Sequence, residues 1–356
     1  MKKLLLLSLV LSSSFASAQI IQSEDFNGLT LGNIGTDATG VTAGQGDWFT
    51  FTSNGADPTT GTNAGNSNFQ VVTTGFNATN GLKIVSSNGN KGNRFMWKDG
   101  LDTAWGSRTE GNNIIEVEYD FFTGPATTST AQFGVRLYAT DNSVTPAATR
   151  TVNGFVYTMN TRVLQGVAYL NNAGTFGTFL INLAATPGLV LNADTWYRIG
   201  FAYDTTTGET VWRASTVYTG LPQANWAGPF PLINEVDFVG TVPTAGTNAA
   251  ISEAIYDNLV VEATLEESLL GINEANEVAT FSVFPNPSTN NFTITSSNSS
   301  TINGVEMFDI NGRIVKSLEF DNLSSADVNI ADLSQGVYML KISSDNGSVT
   351  QKVVKQ

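Results

Sequence analysis

Apolar and polar positions alternate with a period of two through residues 195–213, TWYRIGFAYDTTTGETVWR. Tyr197, Ile199, Phe201 and Tyr203 fall on one side, while Trp196, Arg198, Gly200 and Ala202 fall on the other, the pattern of a strand with one buried face. Asp204-Thr-Thr-Thr-Gly208 then supplies side chains that compete for backbone hydrogen bonds and a glycine free to take positive φ, before Val211 and Trp212 resume the apolar side. This predicts a β-hairpin. A second alternation runs through residues 114–122, IIEVEYDFF, with Ile115, Val117, Tyr119 and Phe121 opposed to Glu116, Glu118 and Asp120. Its default reading is an amphipathic strand with the three acids on a solvated face. Shorter apolar runs at 47–51, 68–72, 82–85, 132–139, 154–159, 164–170, 176–183, 235–239 and 255–262 are separated by Asn, Gly, Thr and Pro turns. Together they predict about a dozen strands between residues 20 and 262, enough for two packed antiparallel sheets.

Composition supports an all-β chain: 13% of the residues are charged and 34 are glycine, so turn and strand formers dominate. The 356 residues leave room for a second domain. Residues 263–280 break the alternation with acids and amides and read as a linker, with one helical turn over 265–270. Residues 1–18 begin with Lys2 and Lys3, continue through an apolar run from Leu4 to Leu11 and end in Ala16-Ser17-Ala18. That is the layout of a secretory signal peptide cut before Gln19. The run is too short to span a membrane, and no other stretch approaches membrane length, so no transmembrane segment is expected in the mature chain. The protein contains no cysteine and no histidine. It therefore has no disulfides, no usual zinc ligands and none of the commonest general base, and its stability must come from core size or a bound cation. The formal net charge of −14 repels phosphate backbones, so no nucleic-acid partner is expected.

Several of these blocks resemble known families. Residues 196–208 resemble the W-Y-x-(I/V)-x-(F/V)-x-Y-D-x-x-x-G signature of concanavalin A-like and laminin-G-like jelly rolls, which implies an antiparallel jelly-roll β-sandwich over residues 19–262. In such modules an acidic-aromatic pair near the first strand faces a last strand of the form I-Y-D-N-hydrophobic, here Ile255-Tyr256-Asp257-Asn258-Leu259. The resemblance implies a structural Ca²⁺ held by Glu24, Asp25 and Asp257, hard oxygen donors of the kind calcium takes. The E-x-E-x-D order of Glu116, Glu118 and Asp120 is similar to the E-x-D-x-E strand of laminarinase-like glycosidases, although the order differs and the surrounding residues do not match. Finally, residues 281–356 carry Phe281-Ser-Val-Phe-Pro-Asn-Pro287, Asp309-Ile-Asn-Gly-Arg313 and Leu333-Ser-Gln-Gly-Val-Tyr-Met-Leu-Lys-Ile342 in order. This segment resembles the C-terminal type A sorting domain of the type IX secretion system of Bacteroidota. It implies a small β-sandwich, export through the periplasm to the exterior or the cell surface, and the secretion machinery as partner.

Three readings of residues 19–262 stay open. A carbohydrate-binding or adhesive module, non-catalytic, would stack sugar rings on exposed aromatics and bind hydroxyls through polar side chains, with a polysaccharide or cell-surface glycan as partner. The tryptophans at 48, 97, 105, 212 and 226 are its candidates. Trp97, Trp105 and Trp226, in polar, loop-like surroundings, are the preferred set, together with Asp99, Asp102 and Arg108. At least half of the tryptophans are expected in the core. The alternative is a polysaccharide-degrading enzyme, either a hydrolase using two of Glu116, Glu118 and Asp120 or a lyase. The third reading is a structural surface protein without a small ligand.

Overall fold

The computed structural model describes residues 18–54, 64–89, 92–185, 188–243, 248, 250–269, 281–296, 301–309, 313–344 and 347–356. The expected signal segment before residue 18, and the expected linker from residue 270 to 280, lie outside the described residues. The chain divides into two compact units, Met1–Leu269 and Leu270–Gln356.

The strands of the first unit are β1 (Gln19–Glu24), β2 (Gly32–Asn33), β3 (Trp48–Thr52), β4 (Phe69–Val72), β5 (Gly81–Val85), β6 (Asn93–Lys98), β7 (Ile114–Phe122), β8 (Gln132–Asp141) and β9 (Ala148–Thr158). They continue as β10 (Val163–Asn172), β11 (Thr175–Asn182), β12 (Leu189–Val190), β13 (Trp196–Asp204), β14 (Thr210–Ala214), β15 (Val217–Gly220), β16 (Leu232–Thr241) and β17 (Glu253–Thr264). One sheet runs β15-β14-β13-β7-β17-β5-β4-β2 with β1 added on β17, and is called the β7 sheet here. The other, the β8 sheet, runs β11-β10-β9-β8-β16-β6-β3 with β12 on β10. Hairpin-connected runs (β13-β14-β15, β4-β5, β8-β9-β10-β11) are joined by long crossovers that bring β7 between β13 and β17 and β16 between β8 and β6, and the unit is an antiparallel jelly-roll β-sandwich.

The alternations predicted from sequence set the two faces. Ile199, Phe201 and Tyr203 of β13, and Ile115, Val117, Tyr119 and Phe121 of β7, join the core. From the β8 sheet come Phe133, Val135 and Leu137 of β8, with Val236 and Phe238 of β16. Aromatic rings bridge the layers: Phe238 meets Tyr256 at 5.0 Å, Phe121 meets Tyr157 at 5.2 Å and Phe155 meets Phe201 at 5.8 Å, all close to edge-on. Trp212 is fully buried and donates its Nε1–H to the Gly154 carbonyl at 2.7 Å. The ring lies so close to β10 that a Cβ at Gly166 would sit 2.5 Å from it, so glycine is required there. The predicted hairpin closes with Gly208 at φ +84°, and the Asp204 carboxylate accepts the Thr206 N–H at 2.7 Å and the Thr207 hydroxyl at 2.8 Å.

The first unit runs further than residue 262. β17 ends at Thr264, and the chain then crosses the outer face of the β7 sheet as far as Leu269, in bends and a turn where a helical turn was expected. The leucine explains this: Leu269 is fully buried against Ala202, Val211 and Ile114.

The second unit holds a three-stranded sheet, β18 (Phe281–Phe284), β19 (Asn291–Ser296) and β22 (Ser325–Asn329), and a four-stranded sheet. The latter is β20 (Ile302–Phe308), β21 (Ile314–Leu323), β23 (Gly336–Ser344) and β24 (Gly347–Lys355), in the order β21-β20-β23-β24. Its core includes Phe281, Phe292, Val305, Leu340 and Val353. Residues of the motif blocks act as staples. Asn286 donates to the Lys352 carbonyl at 2.8 Å and accepts from the Val354 N–H at 2.9 Å, and Tyr338 donates its hydroxyl to the Ser334 carbonyl at 2.8 Å.

Candidate functional site

The acids of β7 do point outward, but Glu116 and Asp120 do not face water, and Glu118 is only partly exposed. Glu116 is 3% exposed and Asp120 6%. The segment after β17 caps Glu116, which accepts the Ser268 N–H at 2.6 Å, the Ser268 hydroxyl at 2.9 Å and the Thr264 hydroxyl at 3.2 Å. Arg198 of β13, the register partner of Asp120, reaches Glu118 at 3.2 Å and Asp120 at 3.8 Å and donates to the Asn258 carbonyl at 2.6 Å. Asn258 in turn donates to Asp120 at 2.7 Å. Burial pushes the Glu116 carboxyl up to about 7 and also raises Asp120, which Arg198 and Asn258 pull back down. The solvated face expected from the alternation is thus corrected to a closed one, and the arrangement offers Glu116 and Asp120 no opening for a substrate. For Glu116 the reason is Ser268, 152 residues away in sequence.

Glu24, Asp25 and Asp257 are likewise engaged locally. Glu24 accepts the Phe26 N–H at 2.9 Å and the Trp48 Nε1–H at 3.0 Å, and Asp25 accepts the Asn27 N–H at 3.0 Å. Asp257, fully buried, accepts from the Phe76 N–H, the Thr79 hydroxyl and the Asn258 N–H at 2.8–2.9 Å. These oxygens face the positive ends of N–H and O–H dipoles, whereas calcium takes six to eight oxygen ligands. Among the described residues no group of three or more Asp, Glu, His or Cys is placed to hold a metal. The three acids do not fit the calcium implied for them.

The tryptophans divide. Trp48, Trp105 and Trp212 are core residues. For Trp105 this is a correction: it lies on a short helix, α1 (Leu101–Gly106), 3% exposed, with its Nε1–H on the Pro231 carbonyl at 3.0 Å. Leu101 and Trp105, four residues apart, share the buried face of that turn. Arg108 lies over the Trp105 ring at 3.9 Å and spends its guanidinium on Asn112, Trp105 and Asn113, so it too is structural. Asp102 is exposed on α1 and binds the Thr103 N–H. Trp226 is half-buried with its Nε1–H on the Leu221 carbonyl at 2.8 Å.

Trp97 belongs to something larger. It stands on strand β6, where Met96 points into the core, so that Phe95 and Trp97 point out. On the adjoining edge strand β3, Phe49 and Phe51 do the same, in register with Trp97 and Phe95. Phe49 and Trp97 stack at 5.6 Å and 12°, Phe51 and Phe95 meet at 6.3 Å, and all four rings are half-exposed. Beside this platform the outward positions of β16 and β8 are polar: Glu235 pairs in register with Tyr138, and Asp237 with Arg136. Asp237 is 5% exposed, and its Oδ1 and the Arg136 Nε are buried without a hydrogen-bond partner among the described residues. Burial, with Glu235 adding to it against the pull of Arg136, pushes the Asp237 carboxyl up to about 8. Burial and Asp99 raise Glu235, and burial raises Tyr138, whose hydroxyl lies beside Arg136 and Thr151.

The same face ends in a cavity of about 910 Å³ beyond Thr140. Its lining includes Tyr169 and Phe176, 6.4 Å apart and near parallel, and Arg150, which sits 4.4 Å over Tyr169 and holds Asp141 at 2.9 and 3.0 Å. From β3 to β10 the β8 sheet spans five strand spacings, about 24 Å. Sequence reasoning placed these strands but singled out none of Arg136, Tyr138, Glu235 and Asp237. The signal was present as charged and phenolic residues at alternate positions inside two otherwise apolar runs, QFGVRLYATD and LINEVDFVGT.

No curated protein matches the sequence. Among solved structures, a sialidase aligns at 10% identity and TM-score 0.36, over 60% of this chain and 17% of the sialidase. An endo-β-1,4-glucuronan lyase from the fungus Trichoderma reesei aligns at 11% and 0.39, over 56% of this chain and 89% of the lyase. The alginate lyase vAL-1 from Chlorella virus aligns at 13% and 0.39, over 66% and 99%. At these values the likeness bears on neither activity nor ligand. The second unit is more definite: residues 282–356 match the family model of the secretion system C-terminal sorting domain. This unit is therefore the sorting domain of a type IX secretion substrate, a signal for export to the exterior or the cell surface.

Proposed function

We propose that the first unit is a glycan-binding module, delivered outside the cell by its sorting domain, and that the outer face of the β8 sheet is its binding groove. The observation that carries this reading is the stacked, half-exposed Phe49–Trp97 pair, continued by Phe51 and Phe95, alongside a polar floor. Aromatic faces match the apolar faces of sugar rings, and a few convergent polar groups fix orientation. The β7 sheet has a half-buried aromatic pair of its own, Phe122 and Trp196 in register at 5.3 Å with Phe76 at 5.7 Å from Trp196, but Glu116 and Asp120 of that sheet are already hydrogen-bonded within the protein. A glycan array probed with the chain from Gln19 onward tests the reading. Binding to one class of polysaccharide that Trp97→Ala abolishes without loss of fold is the expected result. A folded protein that binds nothing on a broad array would refute it.

A further inference from the structure

We infer that the outer face of the four-stranded sheet in the sorting domain is the surface by which the secretion machinery holds this chain. The two outer faces of the second unit differ in kind. On the three-stranded sheet, Val283 of β18, Phe292 and Ile294 of β19, and Ala326 and Val328 of β22 turn toward the core. The outward positions between them, Ser282, Thr293, Thr295, Ser325 and Asp327, are all polar, and Thr293 donates its hydroxyl to Asp327 at 2.6 Å. That is the ordinary solvated face of an antiparallel sheet.

The four-stranded sheet breaks this rule. Val305 and Met307 of β20, Tyr338 and Leu340 of β23, and Val353 of β24 face the core. The alternate positions hold Phe308, Val337, Met339 and Val354, and Ile314 of β21 joins them. Ile314 lies in register with Phe308, Phe308 with Met339, and Val337 with Val354. Five apolar side chains from four strands thus adjoin over three strand spacings, about 14 Å. Ile314 is 52% exposed, Met339 43% and Val337 42%, while Phe308 and Val354 are half-buried. Single apolar residues on a surface are ordinary, whereas a contiguous patch confined to one face marks an interaction site.

The motif blocks that define the domain supply little of that surface. Phe281, Tyr338, Leu340 and Ile342 are core residues, and Asn286 is spent on the backbone of β24. They build the fold, and the export system has to hold the domain by what the fold presents. The chemistry of the partner follows from the patch: an apolar surface with one carboxylate set opposite Lys352, the exposed register partner of Met339. The neighbouring cations call for no further acids, because Arg313 is held by Asp309 at 3.1 Å and Lys341 by Glu306 at 3.3 Å.

The test expresses the full chain in cells that carry a type IX secretion system and measures its partition between periplasm and exterior by immunoblot. Thermal unfolding and mass in solution of each purified chain are measured alongside. Met339→Asp is expected to cut export at least about tenfold and leave the chain in the periplasm, as removal of one interface hot spot would. Met339→Leu, and Ser282→Asp on the polar face, should be exported normally. Should Met339→Asp fail to fold, Met339→Thr, which suits a strand, is expected to lose export in the same direction. Native export of folded Met339→Asp and Val337→Asp would overturn the proposal, as would an equal loss from Ser282→Asp. A dimeric chain that Met339→Asp makes monomeric with export intact would assign the patch to a second copy and overturn it. Binding to phosphatidylcholine vesicles that Met339→Asp abolishes, again with export intact, would assign it to lipid and overturn it likewise.

Discussion

The two outer faces of the sandwich carry similar inventories and end in opposite states. The β7 sheet presents Glu116, Glu118, Asp120 and Arg198, and the β8 sheet presents Glu235, Asp237 and Arg136. On the β7 face every acid whose burial matters has a partner: Ser268 and Thr264 on Glu116, Arg198 and Asn258 on Asp120. On the β8 face buried polar atoms stay unmatched, among the described residues, beside half-buried aromatic rings. Polar residues at alternate strand positions therefore do not identify a site. What identifies it is whether the rest of the fold has closed the hydrogen bonds, which is decided by segments far away in sequence.

Removing Arg198 should break this comparison most severely. Glu118 and Asp120 would lose their cation while Asp120 stays buried, and stripping one partner from a buried pair typically costs about 3–5 kcal/mol. Arg198→Ala should lower stability by about 3 kcal/mol in urea unfolding, the low end because Arg198 and Glu118 are partly exposed. A loss under 1 kcal/mol would show that the β7 face is not held by this network. On the open face Arg136→Ala should cost far less stability and chiefly weaken glycan binding.

Leu269 comes next. It fills space that exists because residue 200 is glycine: a Cβ there would lie 2.9 Å from the Glu118 Cγ and 3.0 Å from the Leu269 Cδ2. Truncating a buried leucine costs about 2–5 kcal/mol depending on how far the site collapses. Leu269→Ala is expected near 2 kcal/mol, because the segment also stays tied through the Arg213 bond to the Leu269 carbonyl at 2.7 Å and the Ser268 bonds to Glu116. Protease cleavage between residues 264 and 269 should accelerate in the variant. Unchanged cleavage and stability would mean that this stretch is not part of the folded unit.

Much of this architecture was legible from period-two patterning, because each strand exposes its face preference locally. The two-sheet all-β layout, the 195–213 hairpin and the core sides of β7 and β13 followed from it, whereas the jelly roll was implied by the resemblance of residues 196–208 and the strand order was not predicted. Trp105 was misread because a six-residue helix leaves little periodic signal, so its polar neighbours suggested a loop. Glu116 and Asp120 were misread because their burial depends on Ser268, Arg198 and Asn258, none adjacent to them in the chain. Arg136 and Asp237 were passed over because their meaning comes from pairing across strands nearly 100 positions apart, whereas alternation shows only which side each residue takes.

A graded effect is expected with pH. Asp237 and Glu116 are raised to about 8 and about 7 from ordinary carboxyl values of 3.8 and 4.5. An acid whose folded pKa is raised contributes stability that is complete below its unfolded value and is lost as pH rises through the folded one. The melting temperature should therefore decline from about pH 4 to about pH 8 and level off above. Asp237→Asn should flatten that decline up to about pH 8, and Glu116→Gln only up to about pH 7. A melting temperature that rises across this range would contradict both assignments.

The smallest expected change in stability, and the sharpest test of the contrast, is Trp97→Ala. Its ring is half-exposed and packs on Phe49 and the backbone at Gly40, not in the core, so the loss should stay near 1 kcal/mol. Trp105→Ala, by contrast, empties a core position, for which about 3–5 kcal/mol is typical. If the β8 face is a binding face, Trp97→Ala will abolish glycan binding at nearly native stability. Trp105→Ala will instead lower stability first, and affect binding only as far as unfolding does. Should both variants lose stability equally, Trp97 would be a packing residue and the aromatic platform would lose its claim to be a site.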